Sequence, residues 1–252
     1  MSFLFSSLLS FLLLAPTIQA KDSIPWELIE HDTDEDIKVW KRERPGSSLI
    51  EFRGQGMVHA DIGTVIAHLS DPDKLLEWVH TSVKAELIEK SYEMDSKAED
   101  IKSLHHIQYM EYFVPFPFEN RDVVFKGEID YYYNKASNIM GAKFSSRSIQ
   151  RDDVPKKDGL TRISSLFNEV DMQIVDEKKV LVTFTVVVDP AGRIPKWLVN
   201  LTTRLLPYKT ISNIRDLVKK GGFDPRRKVF VEEFMKLVLS GEEFNGMKFK
   251  EK

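Results

Sequence analysis

The chain has 252 residues, of which 42% are hydrophobic and 30% are charged, a composition typical of one large globular domain or two small ones. The net charge of −3 leaves no overall basic excess, which excludes a general electrostatic hold on nucleic acid. The sequence contains no cysteine, so disulfides, thiolate chemistry and cysteine-ligated zinc are also excluded.

The first predicted element is an apolar N-terminal segment. Residues 3–15 carry no charged side chain and are too few to cross a bilayer easily, which takes about 20 apolar residues. Ile-Gln-Ala follows just before Lys21, a pattern typical of a secretory signal peptide cleaved after Ala20. We therefore expect residues 1–20 to be a signal peptide and the mature protein to be secreted or periplasmic. An uncleaved anchor and a buried helix are the alternatives.

Short elements are predicted after this segment. Residues 26–30 indicate a short helix or turn, and alternating side chains predict strands at residues 37–41 and 49–58. Asp61 is a suitable N-cap for a helix. That helix would present one apolar face: Ile62, Val65, Ile66 and Leu69. A second short helix is predicted from Leu75.

Six longer strands dominate the middle of the chain, separated by short polar turns. They are predicted at residues 83–92, 103–114, 122–133, 139–148, 161–172 and 179–189. Most of them alternate in polarity, as Val180, Val182 and Phe184 do on one face of the last strand. Consecutive long strands with short turns favour a single antiparallel sheet with one covered face, and hence an α+β domain.

Two helices are predicted after the sheet. The first spans residues 195–219, and Pro207 inside it is expected to kink it. The second spans residues 225–239, with Asp224 as N-cap. The stretch from residue 193 to 228 contains ten Lys and Arg against two Asp. This basic block fits either a solvated helix face or a surface that meets anionic headgroups.

Two motifs carry a resemblance to a known family. The sequence DPAGRIPKWLVN, residues 189–200, resembles the stretch that opens the C-terminal helix of START domains, the steroidogenic-acute-regulatory-related lipid-transfer family. The sequence PFPFENRDVV, residues 115–124, resembles the Pro-aromatic-Pro loop of the same family. The resemblance implies a helix-grip fold, in which a curved antiparallel sheet wraps a long C-terminal helix around an internal apolar cavity. It assigns residues 21–223 to a START-like lipid-binding domain and residues 224–252 to a C-terminal helical extension.

The resemblance also implies which residues form the site. The protein would bind a lipid or another hydrophobic small molecule, need no cofactor and contact membranes transiently. The lid loop would be Pro115, Phe116, Pro117 and Phe118. The face of the C-terminal helix toward the cavity would hold Trp197, Leu201, Leu205 and Tyr208. Arg121 is a candidate for contact with the polar group of the ligand.

Two other functions remain open. An enzyme of cyclase or hydrolase type on the same scaffold would use ionisable side chains in the cavity, for which the candidates are His59, His105, Glu111 and Asp171. No nucleophile elbow, phosphate loop or dinucleotide-binding glycine pattern is present, and His105 and His106 face opposite ways on a strand and cannot share a metal. An interaction protein with a filled core is the third possibility.

Overall fold

The structure, a computed structural model, describes residues 24–91 and 104–240. The strands are β1 (Glu27–Asp32), β2 (Ile37–Glu43), β3 (Ile50–Val58), β4 (Ser82–Lys90), β5 (His105–Tyr112), β6 (Asn120–Asn134), β7 (Ile139–Ser148), β8 (Leu160–Arg162), β9 (Ser165–Asp176) and β10 (Lys179–Asp189). The helices are α1 (Ile62–Leu69), α2 (Leu75–Trp78), α3 (Lys196–Lys220) and α4 (Pro225–Ser240), with a 3-10 turn at Pro72–Lys74.

All these strands belong to one sheet, in the order β1-β2-β3-β10-β9-β7-β6-β5-β4. Neighbours along this path are antiparallel, and the short β8 lies off it, parallel to β6. The N-terminal hairpins join the rest of the sheet where β3 pairs with β10, with Val180 opposite Val58 and Val186 opposite Phe52. The large curved antiparallel sheet with its long C-terminal helix confirms the predicted α+β helix-grip fold.

Two predicted elements differ from the structure. Residues 26–30 were expected to be a helix or turn, but Glu27–Asp32 is a strand paired with β2. The pairing across the sheet overrides the weak local pattern of this short segment. The strand predicted at residues 161–172 is divided into β8 and β9. The break follows from two backbone hydrogen bonds, from Ile163 N–H to Asp122 O and from Ser164 N–H to Asp189 O, which tie the chain to two different strands.

Helix α3 lies directly on one half of the sheet, where it contacts β2, β3 and β10. Two glycines of β3 allow this close approach. A Cβ added at Gly54 would fall 2.6 Å from Cβ of Pro207, and one at Gly56 would fall 3.0 Å from Cγ2 of Ile211. Both positions face the helix, because inward residues recur at every second place along a strand. The missing side chains therefore set the distance between α3 and the sheet.

Helix α4, which the sequence analysis set apart as an extension, packs inside the same hydrophobic core. It lies against α1 and β6. Phe230, Val231, Phe234 and Met235 are buried, and the Phe234 ring stacks on Tyr131 with ring centroids 5.4 Å apart. The predicted N-cap is present, since Oδ1 of Asp224 accepts a hydrogen bond from Arg226 N–H. This helix therefore covers an end of the sheet that α3 does not reach.

The predicted signal peptide at residues 1–20 lies outside the described residues, and its cleavage stays a prediction. Among the helices of residues 24–91 and 104–240, none is long and apolar enough to cross a membrane.

Replacing Gly54 by valine should separate α3 from the sheet. The added side chain meets the backbone carbonyl carbon of Pro207 as well as its ring, so neither can move aside cheaply. We expect Gly54→Val to lower the free energy of unfolding by about 1–3 kcal/mol, the usual cost of overpacking a core. Urea denaturation measures this, with Gln55→Val on the opposite face of β3 as the matched control. Equal stability of the two variants would contradict the assignment.

Candidate ligand cavity

A cavity of about 130 Å³ lies on the half of the sheet that α3 leaves open. Its floor is formed by the inner faces of β5, β6, β7 and β9, and α2 with the start of α4 closes the other side. The main apolar side chains around it are Leu75, Trp78, Met110, Phe125, Phe144 and Phe184. From α3 only Thr210 reaches it. The predicted internal cavity is therefore present, mostly apolar, but displaced from the long helix.

Polar side chains also reach the cavity. They are Ser70, Lys90, His106, Gln108, Ser146, Asn168 and Arg227. Aspartate and glutamate are absent from the lining that the described residues form. The guanidinium of Arg227, which α4 supplies, donates from Nη1 to Ser70 O at 2.8 Å and lies 3.6 Å from Oδ1 of Asp71. The wall thus offers side chains that both donate and accept hydrogen bonds, together with the positive charges of Lys90 and Arg227.

The size of the cavity limits what it holds as it stands. An engineered apolar cavity of about 150 Å³ holds one benzene molecule, and sites for drug-sized ligands measure about 300–1,000 Å³. The present volume of about 130 Å³ is smaller than either. A lipid is therefore larger than the cavity as it stands.

His106 is an ionisable group of the cavity wall whose pKa is lowered by burial. Its ring lies over Gly127 of β6, where an added Cβ would overlap it, and it makes an edge contact with Phe125. Burial first, and then the neighbouring charge of His105, lower the pKa of His106 to about 4. The imidazole is therefore neutral near pH 7 and can both donate and accept a hydrogen bond.

The helix residues predicted to line the cavity do not do so. Trp197, Leu201 and Leu205 are 68%, 53% and 49% exposed. Each lies two residues before a buried residue of α3: Val199, Thr203 and Pro207. Two residues correspond to about 200° around a helix, so the three apolar side chains point away from the sheet. The prediction chose the more hydrophobic face, whereas the packed face includes threonine and proline.

Tyr208 is also outside the cavity. Its hydroxyl donates to Oδ2 of Asp32 at 2.8 Å, which joins α3 to the end of β1. The pKa of Asp32 lies below its ordinary value, because the Glu35 N–H and then the Tyr208 hydroxyl donate to the carboxylate. The role of Tyr208 is therefore to fasten the helix rather than to contact a ligand in the cavity.

Arg121 links the two motifs that carry the family resemblance. It is 4% exposed, and its guanidinium donates to the carbonyl oxygens of Pro190, Ala191 and Glu119. These bonds hold the chain just before α3 against the start of β6. Arg121 therefore positions these two segments, and its contact with a ligand stays a prediction. Its neighbour Asp122 is 1% exposed and forms a two-bond ion pair with Arg162 at 2.9 Å.

The predicted lid loop, Pro115, Phe116, Pro117 and Phe118, connects β5 to β6 at the same end of the sheet as Arg121. Phe116 is 95% exposed, and Phe118 is half-buried. The loop is closed by hydrogen bonds from Phe118 N–H to Pro115 O and from Val114 N–H to Oδ1 of Asn120. Three residues before it, Tyr112 lines the cavity. The loop thus lies next to the cavity, although its own side chains do not form the wall.

Sequence reasoning missed most of the wall. Residues 106, 108, 110 and 112 of β5 all line the cavity, and their period of two was visible in the sequence. The period does not say which face of a strand is the inner one, and a strand with His and Gln on one face gives no apolar signal. Trp78 and Arg227 come from elements whose position depends on tertiary packing alone.

The residues proposed for an enzyme do not converge. His59, His105, Glu111 and Asp171 are all absent from the cavity lining. Glu111 instead accepts a hydrogen bond from the Tyr109 hydroxyl, and Asp171 accepts one from the Tyr132 hydroxyl. Over the two described ranges, no three His, Asp or Glu side chains lie close enough together to hold a metal ion.

The depressed pKa of His106 makes a prediction about stability. Between pH 6.5 and about 4 the unfolded chain binds a proton at this imidazole that the native chain does not. Stability is therefore complete above pH 6.5 and falls as the pH falls through this window, by up to roughly 3 kcal/mol. His106→Gln should flatten this part of the pH dependence of the unfolding free energy, whereas His59→Gln, at an exposed site, should not. Equal pH dependence in all three proteins would refute the burial of this ring.

We compared the sequence with those of known proteins. No protein-family model matches the chain. The chain is 24% identical over 196 residues to an uncharacterized protein of Pseudomonas aeruginosa, covering 77% of this chain and 87% of that one. It is 23% identical over 198 residues to the phosphatidylcholine transfer protein of Rattus norvegicus, covering 77% and 82%.

The structural comparison agrees with the sequences. The crystal structure of a STAR-related lipid transfer protein fragment from Xanthomonas axonopodis superimposes with a TM-score of 0.62 at 25% identity, covering 77% of this chain and 98% of that one. The likeness includes the curved antiparallel sheet and the long C-terminal helix. The chain therefore has the fold of the STAR-related lipid transfer (START) domains, and the resemblance that its two motifs indicated is confirmed.

Proposed function

We propose that the protein binds one lipid or sterol-like molecule in the cavity and carries it between membranes. The observation that carries this proposal is an internal, mostly apolar cavity in a START fold, bounded by Phe125, Phe144 and Phe184. Each methylene removed from water contributes about 0.8 kcal/mol, so a hydrocarbon chain supplies more binding free energy than any single hydrogen bond. The rat relative is named for the transfer of phosphatidylcholine, which is in keeping with this class of ligand.

Uptake of the ligand would involve the loop of residues 115–118 and helix α3. The small cavity must expand, and the elements around its mouth must move for that to happen. Strand β5 ends at the cavity residue Tyr112, and the loop begins three residues later. Phe116 of the loop is exposed and has few contacts to lose. Arg121 couples this loop to the start of α3, so movement of one would be transmitted to the other.

The same end of the molecule has an exposed apolar surface suited to a membrane. The docking surface, as we define it, consists of Phe113, Phe116, Trp197, Leu201 and Leu205. Phe113 is 54% exposed and Phe116 is 95% exposed, while the other three lie along one face of α3. Exposed large apolar groups mark contact sites. Arg193, together with Lys196 and Arg204, which pair with Asp189 and Glu30, would favour anionic headgroups. The surface would bring the lid loop and α3 to the bilayer together.

A side chain that fills the cavity should abolish lipid binding. Thr210 is 3% exposed and lines the cavity, so phenylalanine there would occupy much of the space of about 130 Å³. We expect Thr210→Phe to weaken binding at least about tenfold while the protein stays folded. The matched control is Thr202→Phe on the exposed face of the same helix.

Native mass spectrometry of the full chain, purified with its co-purifying lipid, gives the readout. Wild type and Thr202→Phe should carry one lipid per chain, and Thr210→Phe should carry none. A folded Thr210→Phe variant that retains the lipid would overturn the cavity assignment. A wild-type protein that neither retains nor takes up any lipid would overturn the proposed function itself.

Removing the apolar docking surface should weaken membrane contact without affecting lipid binding. Burying a large apolar side chain is worth about 1.5–3 kcal/mol, so the double variant Phe116→Ser with Trp197→Ser should reduce partitioning at least about tenfold. Co-sedimentation with vesicles of phosphatidylcholine and phosphatidylglycerol measures this. Val175→Ser is the control, because Val175 is 53% exposed and lies near the C-terminal end of β9, outside the docking surface. Unchanged partitioning of the double variant would place the contact elsewhere.

A further inference from the structure

A row of polar side chains crosses the inner face of the sheet. The polar row, as we define it, consists of Lys90, His106, Ser146 and Asn168. The register joins them across five strands: Lys90 is opposite His106, His106 opposite Gly127, Gly127 opposite Ser146 and Ser146 opposite Asn168. Gly127 has no side chain, and the His106 ring occupies the space above it. All four polar side chains line the cavity.

Apolar side chains border this row on both sides. On one side Phe144 is opposite Val170, and Val170 is opposite Phe184. On the other side Phe125, Met110 and Leu166 belong to a separate hydrophobic cluster. The polar row therefore interrupts a face that would pack better if it were apolar throughout. Lys90 is exposed and His106, Ser146 and Asn168 are partly buried, so these polar groups interrupt the apolar face without adding to the core.

Three polar side chains of the wall, those of Ser146, Asn168 and Trp78, make no side-chain hydrogen bond within the described residues. In residues 24–91 and 104–240, the Ser146 hydroxyl and the Asn168 amide make no side-chain hydrogen bond. The buried indole Nε1 of Trp78, which also lines the cavity, has no partner within the same ranges. An indole N–H can only donate, and an amide can donate and accept. A bound molecule would complete these hydrogen bonds if it supplied acceptors.

The charges of the cavity wall restrict the chemical class of the ligand further. The charged side chains among the described lining residues are Lys90 and Arg227, and no carboxylate is present among them. His106 is neutral near pH 7. A buried ammonium group would find no carboxylate among these described lining residues, because the adjacent Asp71 already lies 3.6 Å from Arg227. A carboxylate, ester, carbonyl or hydroxyl oxygen would find donors. The wall thus selects against cationic headgroups and in favour of oxygen acceptors.

We propose that the polar row and Trp78 bind the polar group of a lipid through its oxygen acceptors, and that this group is neutral or anionic and lacks an ammonium. This inference rests on the proposed lipid-binding function and specifies its ligand class. The hydrocarbon part lies on the apolar side chains beside the row, and the oxygen atoms lie on the row itself. Asn168 and Ser146 determine the specificity, and α4 contributes through the Arg227 guanidinium.

Three probes with the same hydrocarbon chain test the proposal: oleic acid, oleyl alcohol and oleylamine. The full-length protein should bind the acid and the alcohol at least about tenfold more tightly than the protonated amine, as measured by displacement of a fluorescent fatty acid. Equal affinity for all three would overturn the ligand class but leave lipid binding intact. Failure to bind any of the three, together with the absence of a co-purified lipid, would instead overturn the proposed function.

Variants of the polar row distinguish a role in ligand preference from a general effect on packing. Asn168→Leu, of similar size, should reduce the preference for the alcohol over the amine at least about fivefold. Asn168→Asp places a carboxylate in the wall and should reverse the order, so that the amine binds more tightly than the acid. Ser146→Ala should reduce the preference to a smaller extent, and it is the variant to use if either Asn168 variant does not fold.

The matched control is Ser145→Ala, because Ser145 lies next to Ser146 on β7 and faces the outer side of the sheet. It should keep the preference of the wild type. Thermal unfolding followed by circular dichroism checks that each variant is folded. Folded Asn168 and Ser146 variants with the wild-type order of affinities would overturn the assignment of the polar row.

Discussion

Helix α3 rests on strand β3 at a distance that only glycine permits. With Cβ atoms absent at Gly54 and Gly56, Pro207 and Ile211 of the helix approach the backbone of the strand closely. This contact brings the helix down over β2, β3 and β10 and away from the rest of the sheet. The remaining half, from β4 to β7, then needs other cover, which α1, α2 and α4 provide. The cavity lies where these covers meet imperfectly, so its location follows from the close contact of α3 elsewhere.

The two motifs that identify the fold are structural in this protein. Arg121 from one motif donates to the carbonyl oxygens of Pro190 and Ala191 in the other, and it is almost fully buried. Its bonds fix the start of α3 relative to the loop between β5 and β6. Such contacts specify the scaffold. The side chains that line the cavity lie elsewhere, mainly on the inner face of the sheet, and neither motif contains any of them.

The inner face shows a balance between stability and function. A sheet covered by helices is most stable with apolar residues throughout, yet His106, Ser146 and Asn168 lie in one row across it. The row keeps His106 neutral by burial and leaves amide and hydroxyl groups without protein partners. Under the proposed function, a ligand with suitable oxygen atoms would complete these hydrogen bonds and stabilise the protein. Under the same proposal, a membrane would cover the exposed apolar residues of α3.

Much of the fold could be predicted from the sequence, because its signals are local. Alternation fixed strands such as residues 139–148 and 179–189, and Asp61 and Asp224 marked the starts of α1 and α4. The sequence did not predict elements whose secondary structure depends on hydrogen bonds to another strand. Residues 27–32 became a strand only through pairing with β2, and residues 161–172 were divided by bonds to two different strands.

The residues of the candidate site depend on tertiary structure to a greater degree than the secondary-structure elements do. Helical periodicity offered two faces of α3, and hydrophobicity favoured that of Trp197 and Leu201, which the structure exposes. The packed face was decided by Gly54, about 150 residues away in the chain, since only there could the helix approach the sheet. The polar row exists only through the register of five strands, and no local pattern records which residues of different strands are opposite one another. The sequence by itself therefore determined the scaffold and its family likeness, and the packing of distant segments decided which side chains face the cavity.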